Sequence, residues 1–345
     1  MEGSKYLFLV IAAVLGFIIA FLLGYVIIPW LHKLKFGQTI LDIGPSWHKK
    51  KQGTPTMGGI LFIIGVIFSL AVVIGTNLIL KRDIVADGHM ADADNVKVKF
   101  YAGILMSLGF AAIGFADDYI KVAKKRNLGL TIVQKSIMQI VVMVAYLIAL
   151  FLSKSTYMFI PFVGNVDIGL WFIPIGLIAM YCTVNAVNFT DGVDGLCASV
   201  TATFAVAGIV IAIIRNCFGV SILCASLFGS LAGYLIWNWN PAKVMMGDTG
   251  SMFLGGLVVA VSYCLDAPWL ILLCGIVYVC EFLSDVIQIS YFKITHGKRI
   301  FKMAPIHHHF EKCGWGEKKI VYVFSLVNII GSIIGILLTY FGRPV

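Results

Sequence analysis

The stretch YLFLVIAAVLGFIIAFLLGYVIIPWL, residues 6–31, carries no charged side chain. A bilayer core of about 30 Å takes roughly 20 apolar residues in a helix. Residues 6–31 therefore reach across a membrane. They are too long for the apolar core of a signal peptide, and no small-residue cleavage site follows them. The rest of the chain is built alike. Of its 345 residues 60% are hydrophobic and 12% charged, with a mean hydropathy of +0.95. A soluble domain carries about 25% charged residues, so this composition excludes a soluble globule, and it excludes a disordered chain as well.

Applied along the chain, the same ruler gives ten spans, near 6–31, 57–78, 99–116, 131–152, 170–187, 195–214, 219–237, 250–265, 269–291 and 320–340. The expected fold is an all-α integral membrane bundle, a single transmembrane domain over 1–345. Ten spans put both termini on one face. With the termini outside, the inner connections are 32–56, 117–130, 188–194, 238–249 and 292–319. They hold 17 of the 26 Lys and Arg, against 8 in the outer segments and termini. That asymmetry follows the positive-inside rule. The net charge of +9 then belongs to the membrane-lipid interface, and no nucleic-acid partner is expected. The eight cysteines (182, 197, 217, 224, 264, 274, 280 and 313) form no C-x-x-C and read as small core residues. The outer 79–98 loop reads as a solvated connector.

Each inner connection carries residues that a plain connector does not need. His48-Lys-Lys-Lys-Gln-Gly-Thr-Pro-Thr-Met-Gly-Gly59 runs from a basic cluster into a turn and a helix start. Such a segment suits either a phosphate or anionic headgroups. Asp117-Asp118-Tyr-Ile-Lys121 ends the third span, where paired acids oppose the helix dipole. If the helix continues, Asp118 and Lys121 share a face, and the acids can hold a divalent cation or position a phosphate. Asn188-Phe-Thr-Asp191-Gly-Val-Asp194-Gly195 is dense in oxygen ligands and lacks an EF-hand spacing. Capping of the sixth span accounts for one of its two acids at most. Asp248, in MGDTGS (246–251), stands alone among small and apolar residues, either as a functional carboxylate or as a cap. Three consecutive histidines (His307, His308, His309) follow a Lys/Arg-rich run. On a helix they diverge, whereas in an extended stretch His307 and His309 face the same way. Glu281 and Asp285, with Ser284 and Gln288 nearby, lie within the ninth span and read as hydrogen-bonding groups of the bundle.

These acids gather at predicted inner boundaries, whereas a secondary transporter places its ion site near the midplane. Asp117, Asp118, Asp191, Asp194 and Asp248 can converge on one aqueous cleft ringed by lysines and histidines. An enzyme that joins a soluble pyrophosphate substrate to a lipid phosphate fits that pattern. The motifs HKKKQGTPTMGG (48–59), DDYIK (117–121), NFTDGVDGL (188–196), MGDTGS (246–251) and KRIFKMAPIHHHFE (298–311) closely resemble the phospho-N-acetylmuramoyl-pentapeptide transferases, from about residue 45 to the last span. These enzymes belong to the polyprenyl-phosphate N-acetylhexosamine-1-phosphate transferases. The acidic motifs point to the superfamily, while GTPTMGG and APIHHHFE point to this member.

The resemblance implies transfer of phospho-MurNAc-pentapeptide from its UDP carrier to undecaprenyl phosphate, giving lipid I and UMP. It also implies ten spans, Mg²⁺, a cytoplasmic active site in a bacterial cell membrane, and a homodimer. Residue by residue, it puts the metal on Asp248 and the catalytic acids at Asp117 and Asp118, with Lys121 beside them. It makes Asn188, Asp191 and Asp194 a polar site loop, Asn238 a nucleotide-side asparagine, and His307 the essential first histidine, followed by His308 and His309. Lys51 and Lys135 fall on its basic positions. Two departures stand out: Asp285 adds a charge where the family is usually apolar, and Trp237-Asn-Trp-Asn240 is rich in aromatics for its loop. The rival readings are a sister transferase using a UDP-N-acetylhexosamine without peptide, and a cation-coupled transporter.

Overall fold

The computed structural model describes residues 2–33, 53–87, 92–124 and 128–343. The chain is a polytopic helical membrane protein. Among the described residues, eight helices are long and apolar enough to cross a membrane. They are α1 (Glu2–Lys33), α2 (Gly59–Ile79), α3 (Ala93–Ala123), α4 (Ile132–Leu152), α5 (Phe172–Thr190), α6 (Leu196–Ile214), α7 (Phe218–Asn238) and, last in the chain, α12 (Glu317–Phe341). Two further long helices, α8 (Gly247–Cys264) and α10 (Ile276–Ile294), correspond to the expected spans at 250–265 and 269–291. A polar opening, Gly-Asp-Thr-Gly-Ser, dilutes the apolar character of α8, and Glu281, Asp285 and Lys293 dilute that of α10.

The α8 helix is the axis of the bundle. Every residue from Thr249 to Cys264 is buried, because α3, α5 and α2 pack around it. At the periphery α1 packs on α7 and turns Val10, Val14, Ile18 and Leu22 outward, as a lipid-facing stripe requires. Among the described residues, hydrogen bonds and close contacts join the segments 53–58, 128–131, 191–195, 239–246 and 301–311 around the start of α8. Each overlaps one of the five connections in which the sequence concentrates its unusual residues.

Several boundaries differ from the sequence reading. The third helix overruns 99–116 in both directions, and its last turns carry Asp117, Asp118 and Lys121 beyond the apolar stretch. The segment between α4 and α5, on which the sequence reading is silent, contains an antiparallel hairpin of β1 (Tyr157–Ile160) and β2 (Gly164–Asp167). Phe159 is the reason. Its ring is buried beneath Arg215, 4.3 Å away, its N–H donates to the Asp266 carbonyl, and its carbonyl accepts from the Trp269 indole. Of the cysteines, Cys280 and Cys313 are exposed rather than core.

The expected ninth span is interrupted at Gly275, which separates the short α9 (Leu270–Cys274) from α10. Buried Asn328 of α12 fills the break. Its Nδ2 donates to the Cys274 carbonyl (2.8 Å) and to Thr203 Oγ1 (2.8 Å), and its Oδ1 accepts from Val277 N at 3.5 Å. Beyond Gln288, α10 is largely exposed. The chain then folds back along it: the Phe301 N–H donates to Gln288 Oε1, and the segment enters the short helix α11 (Ile306–Lys312).

Close approach of α3 to α8 depends on Gly114, because a Cβ there would lie 2.1 Å from the Asp248 carbonyl oxygen. Gly114→Leu is therefore expected to force the two backbones apart and to cost at least about 1–3 kcal/mol, read as a lower midpoint of thermal unfolding in detergent. Asn328→Ala is expected to lower the same midpoint by the roughly 1–3 kcal/mol of an unpaired buried carbonyl. An unchanged midpoint in either variant would refute the packing argument behind it.

Candidate active site

The α3 helix delivers Asp117 and Asp118 to the first turn of α8. Buried Asp118 accepts from the Asp248 N–H (3.2 Å), the Thr249 N–H (2.9 Å) and Thr249 Oγ1 (2.7 Å). A carboxylate that opposes the dipole of its own helix thereby satisfies the N-terminus of another. The residue preceding α8, Met246, makes no side-chain cap, so Asp118 serves as the cap from across the interface. Asp248 does not cap its own helix. Its side chain turns toward the lysines instead.

Asp117 is buried too. Its Oδ1 accepts from the Leu130 N–H (2.7 Å) and its Oδ2 pairs with Lys121 Nζ (2.5 Å). Lys121 lies 3.2 Å from Asp248 Oδ2 and 4.0 Å from Asp118 Oδ1. Lys135 reaches the same Asp248 oxygen at 2.9 Å. It comes from the first turn of α4, which Thr131 and Gln134 start with a reciprocal capping box. Asn188, on the last turn of α5, donates to Asp248 Oδ1 (3.0 Å) and to Ser251 Oγ (2.7 Å). Thus Asp117, Asp118, Lys121, Lys135, Asn188 and Asp248 meet from four helices. Carboxylate oxygens of Asp117, Asp118 and Asp248 lie within 4.8 Å of one another. Hard oxygen donors at that spacing suit a divalent cation such as Mg²⁺.

The 191–195 turn forms an adjoining wall. Burial pushes the Asp191 carboxyl well above the usual carboxylate range, and the charges of Asp248, Asp118 and Asp194 add to the shift. Asp194 and Asn238 do a different job in the described residues. Asp194 Oδ2 accepts from Asn240 Nδ2 (3.1 Å) and the Ala242 N–H (3.0 Å), and the Gly195 N–H donates to Asn238 Oδ1 (3.0 Å). Asn238 Nδ2 donates in turn to the Val244 carbonyl. These bonds pin the 239–246 loop to the 191–195 turn. The same loop grips the GTPTMGG segment: Met245 N donates to the Pro55 carbonyl, while Gly58 N and Gly59 N donate to the Met245 and Met246 carbonyls. Trp237 faces away from this wall, its indole N–H donating to the Phe21 carbonyl of α1. Lys51 lies outside the described residues.

The three histidines sit on α11, so the extended arrangement does not occur; the His307 and His308 rings lie side by side, with centroids 4.1 Å apart. Buried His307 points inward, with Nδ1 3.0 Å from Glu281 Oε2. His308 pairs with Glu311 (2.6 Å), and His309 Nδ1 accepts from the Lys302 N–H. Glu281, for which the sequence reading favours hydrogen bonding within the bundle over catalysis, is the partner of His307. The visible signal was a polar stripe of Glu281, Ser284 and Gln288 on one face of an apolar helix. His307 was the missing partner.

A family model described as glycosyl transferase family 4 matches residues 100–266, and a phospho-N-acetylmuramoyl-pentapeptide-transferase signature matches residues 51–63. The chain is 42% identical over 329 residues to a phospho-N-acetylmuramoyl-pentapeptide-transferase of Clostridium perfringens, covering 93% of this chain and 94% of that protein. It is 42% identical over 330 residues to the Bacillus mycoides protein of the same name, covering 95% and 97%. A Clostridium botulinum relative, also of that name, is 40% identical over 325 residues, covering 94% of each chain. The family-model match contains every residue of the cluster, and the chain belongs to the phospho-N-acetylmuramoyl-pentapeptide-transferase family and is a transferase.

Proposed function

We propose that this transferase moves phospho-MurNAc-pentapeptide from UDP-MurNAc-pentapeptide to undecaprenyl phosphate, giving lipid I and UMP in peptidoglycan synthesis. In this reading ten helices cross a bacterial cell membrane, both termini lie outside, the cluster faces the cytoplasm, and the enzyme works as a homodimer. One observation carries the chemistry: three carboxylates and two lysines from α3, α4 and α8 meet at the start of α8.

Asp248 is the principal ligand for Mg²⁺, with Asp117 and Asp118 beside it. When bound, the ion supplies positive charge against the pyrophosphate and its leaving group. Lys121 and Lys135 neutralise charge at the same place and can swing from carboxylate to phosphate oxygen. Asp117 orients the lipid phosphate. That phosphate, with a second pKa of about 6, is largely dianionic at pH 7 and needs no strong base. In a direct displacement, its oxygen bonds to the β-phosphorus while the bond from that phosphorus to the UMP oxygen breaks. An acyl-phosphate route would need a free carboxylate as nucleophile. Asp248 instead receives Asn188, Lys121 and Lys135, and Asp117 receives the Leu130 N–H and Lys121. Their engagement favours direct displacement.

Release of UMP by the purified chain in detergent, given both substrates with and without Mg²⁺, tests this reading. Mg²⁺-dependent release that needs both substrates is the expected result. Release with UDP-GlcNAc alone would move the chain to the sister specificity, and silence with both sugars would favour cation-coupled transport. Asp248→Asn is expected to lose nearly all activity. Asp117→Asn is expected to retain a fraction that grows as pH rises through about 6 and the lipid phosphate becomes dianionic; complete loss in both variants at every pH would refute the division of roles. Mn²⁺ at about 100 times its Kd is expected to stabilise the wild type by roughly 2.7 kcal/mol, seen as a raised unfolding midpoint. The same addition should leave Asp248→Asn unmoved.

A further inference from the structure

Glu281 and His307 form a fully buried pair, each with 0% side-chain exposure, and each keeps one polar atom that bonds to nothing in the protein. The contact joins Glu281 Oε2 to His307 Nδ1 at 3.0 Å, and the His307 backbone N–H approaches the same oxygen at 3.4 Å. Glu281 Oε1 and His307 Nε2 are the unpartnered atoms. As a staple between α10 and α11 this is a poor arrangement. Taking a carboxylate out of water costs several kcal/mol unless it is paired and hydrogen-bonded, and each unmade buried bond adds roughly 1–3 kcal/mol. Two neutral side chains would join the helices at less cost.

The direction of the unpartnered imidazole nitrogen supplies a reason for the expense. His307 Nε2 lies against Gly192, where a Cβ would stand only 2.1 Å from it. Gly192 follows Asp191 in the turn that walls the carboxylate cluster. A carboxylate that accepts from Nδ1–H fixes which ring nitrogen holds that proton and how the ring is turned. Nε2 is then aimed at the turn, whether it serves as an acceptor or, in the imidazolium, as a donor.

We propose that Glu281 is a positioning residue for the transfer reaction: it holds the proton on His307 Nδ1 and aims Nε2 at Gly192, in the 191–195 turn that walls the site where the substrate reacts. This rests on the transferase reading above for the identity of the substrate. Glu281 touches no reacting atom and acts through His307.

The test is a double-mutant cycle on UMP release by the full-length chain in detergent, with UDP-MurNAc-pentapeptide and undecaprenyl phosphate. Glu281→Gln is expected to lower kcat at least about tenfold while KM for the UDP substrate stays within about threefold. In a His307→Ala background the same change is expected to cost less than about twofold, because the group it positions is gone. Equal losses in both backgrounds would overturn the proposal, as would an unchanged kcat accompanied only by a lower unfolding midpoint. A second measurement needs no Glu281 variant: nitrogen-15 histidine NMR of the wild type, with the His307 signal identified by its loss in His307→Asn. Protonated Nδ1 is expected, and unprotonated Nδ1 overturns the assignment. If the wild type releases no UMP, the transferase reading fails, while the NMR result still decides what Glu281 does to His307.

Discussion

The site depends on one cross-helix contact, the carboxylate of Asp118 against the N-terminus of α8. An acid in the last turns of α3 is unfavourable for α3 itself, since the carbonyl end of a helix repels negative charge. It persists because α8 begins at the same level with its N–H groups unpaired and no cap of its own. Asp118 accepts from two of those N–H groups and from the Thr249 hydroxyl. The bond fixes the register of α3 on α8. With that register set, Asp117 one residue earlier and Asp248 one residue into α8 fall on opposite sides of Lys121.

Packing and polarity support each other here. The α3 and α8 backbones meet closely enough at Gly114 to exclude a Cβ, and only such an approach lets a short aspartate side chain span the gap. A longer acid on a more distant helix would reach, but with more rotamers to freeze. Rigidity also explains the 239–246 loop. Asp194 and Asn238 tie it to the 191–195 turn, and the loop in turn grips Pro55, Gly58 and Gly59 by their backbones. Two buried polar side chains thus hold three of the five connections as one unit.

Much of this was legible in the sequence, because bilayer thickness is a stern ruler and charged residues are scarce enough to stand out. Eight of the expected spans are long apolar helices among the described residues, and of the five acids expected to converge, Asp117, Asp118 and Asp248 meet within 4.8 Å. What sequence could not give was partnership across helices. Capping of α8 was the lesser of two readings of Asp248, and the cap proves to be Asp118, about 130 residues earlier in the chain. Asp194 and Asn238 looked like substrate ligands, and their hydrogen bonds in the structure run to neighbouring loops. Three histidines in a row left helix and extended forms open, because neighbouring residues carry no periodicity over so short a run. The 157–167 hairpin was hidden for a similar reason: its strands are four residues each, and a single buried ring, Phe159, anchors them.

Charge balance links the cluster to its proposed work. Counted as ionised groups, three carboxylates against two ammonium groups leave the cluster about one charge negative. A site of that sign holds together without substrate, since every carboxylate has a cation or an N–H group within reach, and it does not itself attract a pyrophosphate. Adding one divalent cation reverses the sign to about one positive, the sign that draws a polyanion in. The lysines are the adaptable part of this balance. Lys121 and Lys135 are long and both reach one oxygen of Asp248, Lys121 while pairing more closely with Asp117, so either can turn to a phosphate oxygen while Asp117 and Asp118 stay fixed by backbone donors. In the proposed reaction fixed acids would hold the cation and movable lysines would follow the anion: Lys135 comes from α4 to meet Asp248 of α8, and Lys121 reaches it from α3, the helix that carries Asp117 and Asp118.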